Sequence, residues 1–353
     1  MCEITEQAKY NIPDPILNQR ELDKMVQLND RYKKMTSPNK VQQVFGNVGN
    51  GLVKIVPQQV KDGANFIKDK AGDAANRVVE QQLVAKTLEV ITKSFGVVQQ
   101  EVSKYTIKKD WIIGEVNKVS GKNNIHSLEE FCLIRSYDLS KANASQKNQH
   151  LALAAVEGGA FGAMNFVGIP LSIAVSTLLY YRAVQAIALQ YGYDAVDDPD
   201  EMVIANEIFK SSMSPQDSTG TSSLSTTLAK VLALSEVQVV KDLSKKTWVQ
   251  FADHAAGLLI LQMRALANAA AKKALEKAGK QGLEKSLFRS TFAQIGKHLT
   301  KKNVGKMVPF VGAAFDTAQM VTICDYADVF YQRRFLLEKG ARIRGLSDSE
   351  QGK

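Results

Sequence analysis

The side chains able to do chemistry are few and scattered. The four histidines are His126, His150, His254 and His298. None stands in a His-Glu-x-x-His pair, which would set two imidazoles one helical turn apart on a zinc ion. Cys2, Cys132 and Cys324 lie too far apart in sequence for a Cys-x-x-Cys site, and they fit a reducing compartment better than a disulfide framework. A nucleophile elbow, a phosphate loop and a dinucleotide fingerprint are missing. Asp253-His254 precedes an apolar run and reads as a polar pair at a helix start or a satisfied histidine. Asp316 is an acid among apolar neighbours and needs a cation, with Arg182 and Arg333 as the candidates. Asp194-Ala-Val-Asp-Asp-Pro-Asp-Glu201 lacks the spacing and turn glycine of a calcium loop. It reads instead as the start of a helix at Pro199, with Asp200 and Glu201 against the positive helix end. No metal or cofactor is implied. Distant carboxylates leave no trace in spacing. An enzyme acting on lipids through Asp253, His254 or Asp316 therefore stands as an alternative.

The cations are more organised. The 353-residue chain has a net charge of +9. Arg264–Lys306 holds eleven Lys or Arg against Glu276 and Glu284, a surplus of nine that equals the charge of the whole chain. Lys272, Lys273, Lys280, Lys285, Lys301 and Lys302 belong to it. Such a zone suits an anionic membrane, nucleic acid or an acidic partner. Base stacking needs aromatics, and the zone offers Phe288 and Phe292 alone, which sets nucleic acid aside.

The elements that must position these groups are helical, because no alternating strand pattern of useful length occurs. Between Glu157 and Arg182 lie 24 residues without a charge. That length can span a bilayer as a helix. Gly158, Gly159, Gly162, Gly168 and Pro170 interrupt it. Inside a helix Gly costs about 1 kcal/mol and Pro about 3 kcal/mol relative to Ala. The expected element is a Gly/Pro-broken apolar hairpin at Gly158–Pro170, containing Phe166, followed by a helix over Leu171–Gly192. Gly158-x-x-x-Gly162 allows close helix contact in lipid and close backbone approach in a soluble bundle.

Around this run, Val56–Val78 repeats apolar residues at helical spacing, and Leu83–Tyr105 and Ile107–Val119 continue in helical register. Ser127-Leu-Glu-Glu130 has the form of a capping box. A helix from Pro199 to about Ser211 is followed by a Ser/Thr-rich linker. Leu224–Val240 and Trp248–Ala278 are helical, the latter with a stripe of Leu259, Met263, Leu266, Ala270 and Ala274. A final helix follows Pro309, with Lys339-Gly340 as its stop. The expected fold is all-α, a multi-helix bundle with Gly/Ala-rich contacts. Its divisions are a polar docking arm 1–41, a helical domain 42–340 in two halves (42–210 and 224–340, joined by 211–223) and a polar tail 341–353.

Ala155-Val-Glu-Gly158, Gly162, Gly168-Ile-Pro170, Arg182, Ile187-Ala188 and Tyr191-Gly-Tyr-Asp194 resemble the central signature of EcsC-family proteins. Val308-Pro-Phe-Val-Gly-Ala313 and Tyr331-Gln-Arg-Arg334 resemble the C-terminal one. The signature positions are Glu157, Arg182, Gly192, Asp194, Pro309, Gly312, Asp316, Arg333 and Arg334. The similarity covers roughly 83–340 and leaves out the N-terminal arm and the basic zone. Relatives often carry an acid ahead of Val-Ser-Thr; here Val175-Ser-Thr177 is preceded by Ser172 at that place. The resemblance implies an all-α, membrane-proximal protein and supplies no catalytic residues.

Together these readings predict a non-enzymatic, peripheral membrane protein of the cytoplasm, with no secretory signal at its polar, acidic N-terminus. The lipid-facing groups are Gly158, Gly159, Gly162, Phe166, Gly168 and Pro170, and the anionic head groups meet the six lysines named above. A cytoplasmic adaptor for a membrane transporter or another acidic protein is the further alternative.

Overall fold

The computed structural model describes residues 10–36, 85, 89, 108–121, 124–143, 169–213, 222–233, 256–301 and 313–351. Every regular element among them is helical. In chain order these are α1 (Gln19–Thr36), α2 (Lys109–Ser120), a 3-10 turn (Glu129–Leu133), α3 (Ile169–Gln190), α4 (Pro199–Met213), α5 (Ser223–Ala233), α6 (Gly257–Lys301) and α7 (Ala313–Gln351). Residues 136–143 are also helical. The Val56–Val78 stripe and most of Leu83–Tyr105 lie outside the described residues.

The centre of the bundle is α7. Residues 326–339 are buried without a break. At 1.5 Å per residue this is a buried rod of about 20 Å. It packs against α1, the 3-10 turn, α3 and α4, and α4 in turn packs against α3 and α6. A helix enclosed on all sides supplies core rather than a face. That is why Tyr326, Val329, Phe330, Tyr331, Phe335, Leu336 and Leu337 point in every direction and are all buried. The helix also continues through Gly340 to Gln351, past the expected stop. Beyond that glycine, Ile343 is still buried and Arg342 is bonded to three backbone carbonyls, so packing overrides a weak local signal.

The arm carries α1. Glu21, Met25, Leu28 and Tyr32 step by one turn each and are buried. The Asn18 side chain accepts from the Glu21 N–H at 2.9 Å, and the Asn18 N–H donates to Glu21 Oε2 at 3.2 Å. This reciprocal pair closes the start of α1. At Ser127–Glu130 the expected box does not form. The segment is a 3-10 turn capped at Leu128 without a side-chain bond, and the Glu130 carboxylate accepts from the His126 N–H at 2.9 Å.

The central helix begins at Ile169, two residues earlier than expected, and Pro170 falls in its first turn, where a missing N–H costs nothing. It ends in a Schellman turn. Gly192 has φ +78°, the Gly192 N–H donates to Leu189 O at 2.8 Å and the Tyr193 N–H to Ala188 O at 3.0 Å. A Cβ on Gly192 would lie 2.5 Å from the Leu128 oxygen and 2.6 Å from Arg342 Nη2. Both the angle and the crowding demand glycine here. Asp198 caps α4 by accepting from the Asp200 N–H at 2.9 Å, as its place before Pro199 predicts.

On α6 the stripe is rotated by about one position. Ile260, Met263, Ala267 and Ala271 are buried, as is Ala256 just before the helix, whereas Ala270 is exposed. Gly279 breaks the helix with φ +65° and ψ −173°, a conformation open essentially to glycine alone. Among the described residues no helix is long and apolar enough to cross a membrane.

Candidate functional site

Two groups of charges stand out, one inside the bundle and one outside. Inside, Arg334 forms a fork with Glu201 at 2.6 Å for each nitrogen, and its Nε donates to Glu338 Oε1 at 2.8 Å. Burial alone would lower the Arg334 charge; Glu201 and Glu338 outweigh it and raise its pKa well above the ordinary value. Burial likewise works against the Glu338 carboxylate, but Arg334 and Arg264 bring its pKa down. The Arg334 guanidinium lies 3.9 Å from the centre of the Tyr193 ring, and Arg342 covers the same ring at 4.9 Å.

A second internal pair joins α1 to α7. Glu21 and Lys339 have no side-chain exposure, and Lys339 Nζ lies 2.8 Å from Glu21 Oε1. Burial opposes the Glu21 charge, yet Lys339 and the backbone N–H groups of Ser136 and Asn18 hold its carboxyl below the usual range. Burial also lowers Lys339, against the pull of Glu21. The pair is charged, because Glu21 accepts from four donors: Lys339, Arg135, and the N–H groups of Ser136 and Asn18. A protonated carboxyl could not accommodate all four. These side chains lock helices together. Among the described residues no group of His, Cys, Asp and Glu is placed to hold a metal.

The outer group is on α6. Leu258 and Leu261 are 70% and 65% exposed. Lys272, Lys273 and Lys277 follow on the same helix, exposed and without an ion pair among the described residues. Just past the Gly279 break, Lys280 Nζ lies 2.5 Å from Asp197 Oδ1. Lys109, at the start of α2, bonds Asp197 as well and Asp194 Oδ2 at 2.5 Å. These contacts fasten the turn between α3 and α4. The bonds from Lys109 and Lys280 hold the Asp197 carboxyl down at about 2. Partial burial works against the Lys109 charge, but Asp194 and Asp197 outweigh it and raise its pKa.

The residues singled out by sequence separate accordingly. Lys272, Lys273 and Lys280 share α6 and are exposed, and Lys285 is half-buried on it. Lys301 ends α6, and Lys302 lies outside the described residues. Gly158, Gly159, Gly162, Phe166, Gly168, Glu157, Pro309, Gly312, Asp253 and His254 also lie outside them; Asp316 is within α7, but its side chain is not described. Arg182 has Glu284 Oε2 at 3.9 Å and donates to Gln185 Oε1 at 2.8 Å. Asp194 accepts from the Asp197 N–H at 3.0 Å and so shapes the turn. Arg333 is buried with its guanidinium 5.7 Å from the centre of the Tyr32 ring. The signature residues that the structure describes all make contacts within the bundle. Sequence reasoning missed Glu21, Lys339 and Lys109. For Glu21 a signal existed in Asn18-Gln-Arg-Glu21, whose spacing is that of a capping box; Lys109 and Lys339 reach partners far away in sequence.

The model of the EcsC protein family matches residues 19–336, and the chain belongs to that family. The match takes in α1 and the basic zone, both of which lie outside the signature residues. Comparison with curated proteins and with solved structures gives no match.

Proposed function

We propose that this member of the EcsC family is a peripheral membrane protein that binds an anionic lipid surface and does no chemistry of its own. One observation supports the reading above others: on α6, exposed Leu258 and Leu261 are followed by exposed Lys272, Lys273 and Lys277 without an ion pair among the described residues. Long lysine stems lie along apolar surface while their ammonium groups reach outward. Each cation near an anionic surface contributes about 1 kcal/mol. The Gly158–Pro170 stretch adds a shallow apolar insertion in this reading, and two weak anchors together give reversible attachment.

Flotation with neutral and anionic vesicles, at low and high salt, tests it. The Debye length falls from about 10 Å at about 0.1 M salt to about 3 Å at about 1 M. Flotation with anionic vesicles alone, lost in salt, is the expected result. Flotation that survives salt would move the weight from α6 to the 158–181 run. No flotation at all would sink the lipid reading and favour an acidic protein partner, such as a transporter subunit.

A further inference from the structure

The contact between α2, α6 and the α3–α4 turn goes beyond general attraction to a surface. Two ammonium groups from separate helices, Lys109 and Lys280, converge on the single carboxylate of Asp197. Cations so arranged suit an anion carrying more than one charge. We propose that Lys109 and Lys280 form a cradle for the phosphomonoester of a lipid headgroup, and that Asp197 fills it as the chain's own substitute until the headgroup displaces it. This rests on the membrane reading above.

Five features support it. Asp197 and Lys280 have side chains 52% and 49% exposed, so exchange needs no opening of the core. Exposed ion pairs of this kind contribute little, so another anion can replace them. The turn keeps other fastenings when Asp197 lets go. Asp194 keeps its own bond to Lys109 and accepts from the backbone of Val196 and Asp197, while Asp198 caps α4. Lys280 directly follows the Gly279 break and stands three residues after Lys277, so the cradle and the exposed lysines share one helix. With Asp194 still on Lys109, departure of Asp197 leaves the cradle with a surplus of one positive charge, which a phosphomonoester of about −1.5 to −2 at neutral pH meets more strongly than a carboxylate of −1.

The test uses the full chain and phosphatidylcholine vesicles containing either phosphatidate, a monoester, or phosphatidylglycerol, a diester. Wild type is compared with Asp197→Asn and with Asp30→Asn, which removes the same charge from the exposed side of α1. Asp197→Ser serves if the amide variant does not fold. Removing the internal competitor should raise apparent affinity for phosphatidate vesicles about threefold to tenfold, the range that two exposed ion pairs allow. Asp30→Asn should not do so, and the gain on phosphatidylglycerol should be smaller. Equal affinities for wild type and Asp197→Asn would overturn the cradle while leaving the membrane reading intact. An equal gain on both lipids would overturn the phosphomonoester. If neither protein binds any vesicle, both readings fall. Binding by the variant alone would show that the competitor holds the site shut.

Discussion

Helices α6 and α7 are both long and rich in charge, and they use it in opposite ways. On α7, Arg334, Glu338 and Lys339 are buried and bonded, each to a carboxylate or cation named by geometry. On α6, Lys272, Lys273 and Lys277 are exposed and carry no ion pair among the described residues. A charge taken out of water must be matched, since the unmatched ion costs several kcal/mol. A charge left in water is available to a partner. Burial therefore separates the charges that assemble the bundle from those that can act for it, although both sets look alike in composition.

Breaking the inner set should cost most. Arg334→Met leaves Glu201 and Glu338 buried with their main cation gone, and should lower stability by about 3–5 kcal/mol in chemical denaturation. Replacing Arg334, Glu201 and Glu338 together with Met should recover most of that loss. A single variant costing less than about 1 kcal/mol would remove the contrast between the two helices. Glu21→Gln should cost about 3 kcal/mol, because Lys339 stays buried without its carboxylate. The pH dependence has a fixed sign. The folded Glu21 carboxyl is held below its unfolded value, so its stabilisation is complete above about 4.3 and is lost as pH falls through the folded value. Denaturation curves collected downward from about pH 5 should therefore be flatter for Glu21→Gln than for wild type.

Gly192→Ala comes next. The alanine would sit at φ +78° with its Cβ 2.5 Å from the Leu128 oxygen. A loss of about 2 kcal/mol or more follows from strain and crowding together. A loss below about 0.5 kcal/mol would mean that the Schellman turn shifts freely and does not fix α3 against the 3-10 turn.

Periodicity revealed the helices because packing repeats every turn, and it placed α2, α4 and the start of α5 closely. It failed where tertiary contacts outweigh the local pattern. The Tyr326–Lys339 stretch shows no single apolar face, since neighbours surround it, so the middle of the fold reads as an imperfect amphipathic helix. The charge surplus of α6 was plain in composition, yet the fate of each lysine was not. Lys280 reaches Asp197 across 83 positions, directly after the Gly279 break, and spacing in sequence carries no trace of that contact. Gly192 was visible as part of a signature, but its reason, a positive φ against a carbonyl, belongs to three dimensions.

The outer set should give the smallest effect on stability and the largest on attachment. Lys272, Lys273 and Lys277 changed together to Gln keep side-chain length and nearly the same helix propensity. Their ammonium groups hold no partner among the described residues, so nothing buried is left unmatched. Stability should stay within about 0.5 kcal/mol of wild type. Flotation with anionic vesicles, however, loses three cations worth about 1 kcal/mol each, or about two powers of ten in binding. Glutamine rather than glutamate is the better choice, because Glu276 stands four residues from Lys272 and new like charges at that spacing would weaken the helix itself. If the Gln variant floats as well as wild type, α6 is a solvated face like any other. The contrast with α7 would then concern stability alone, and the 158–181 run would have to carry any attachment.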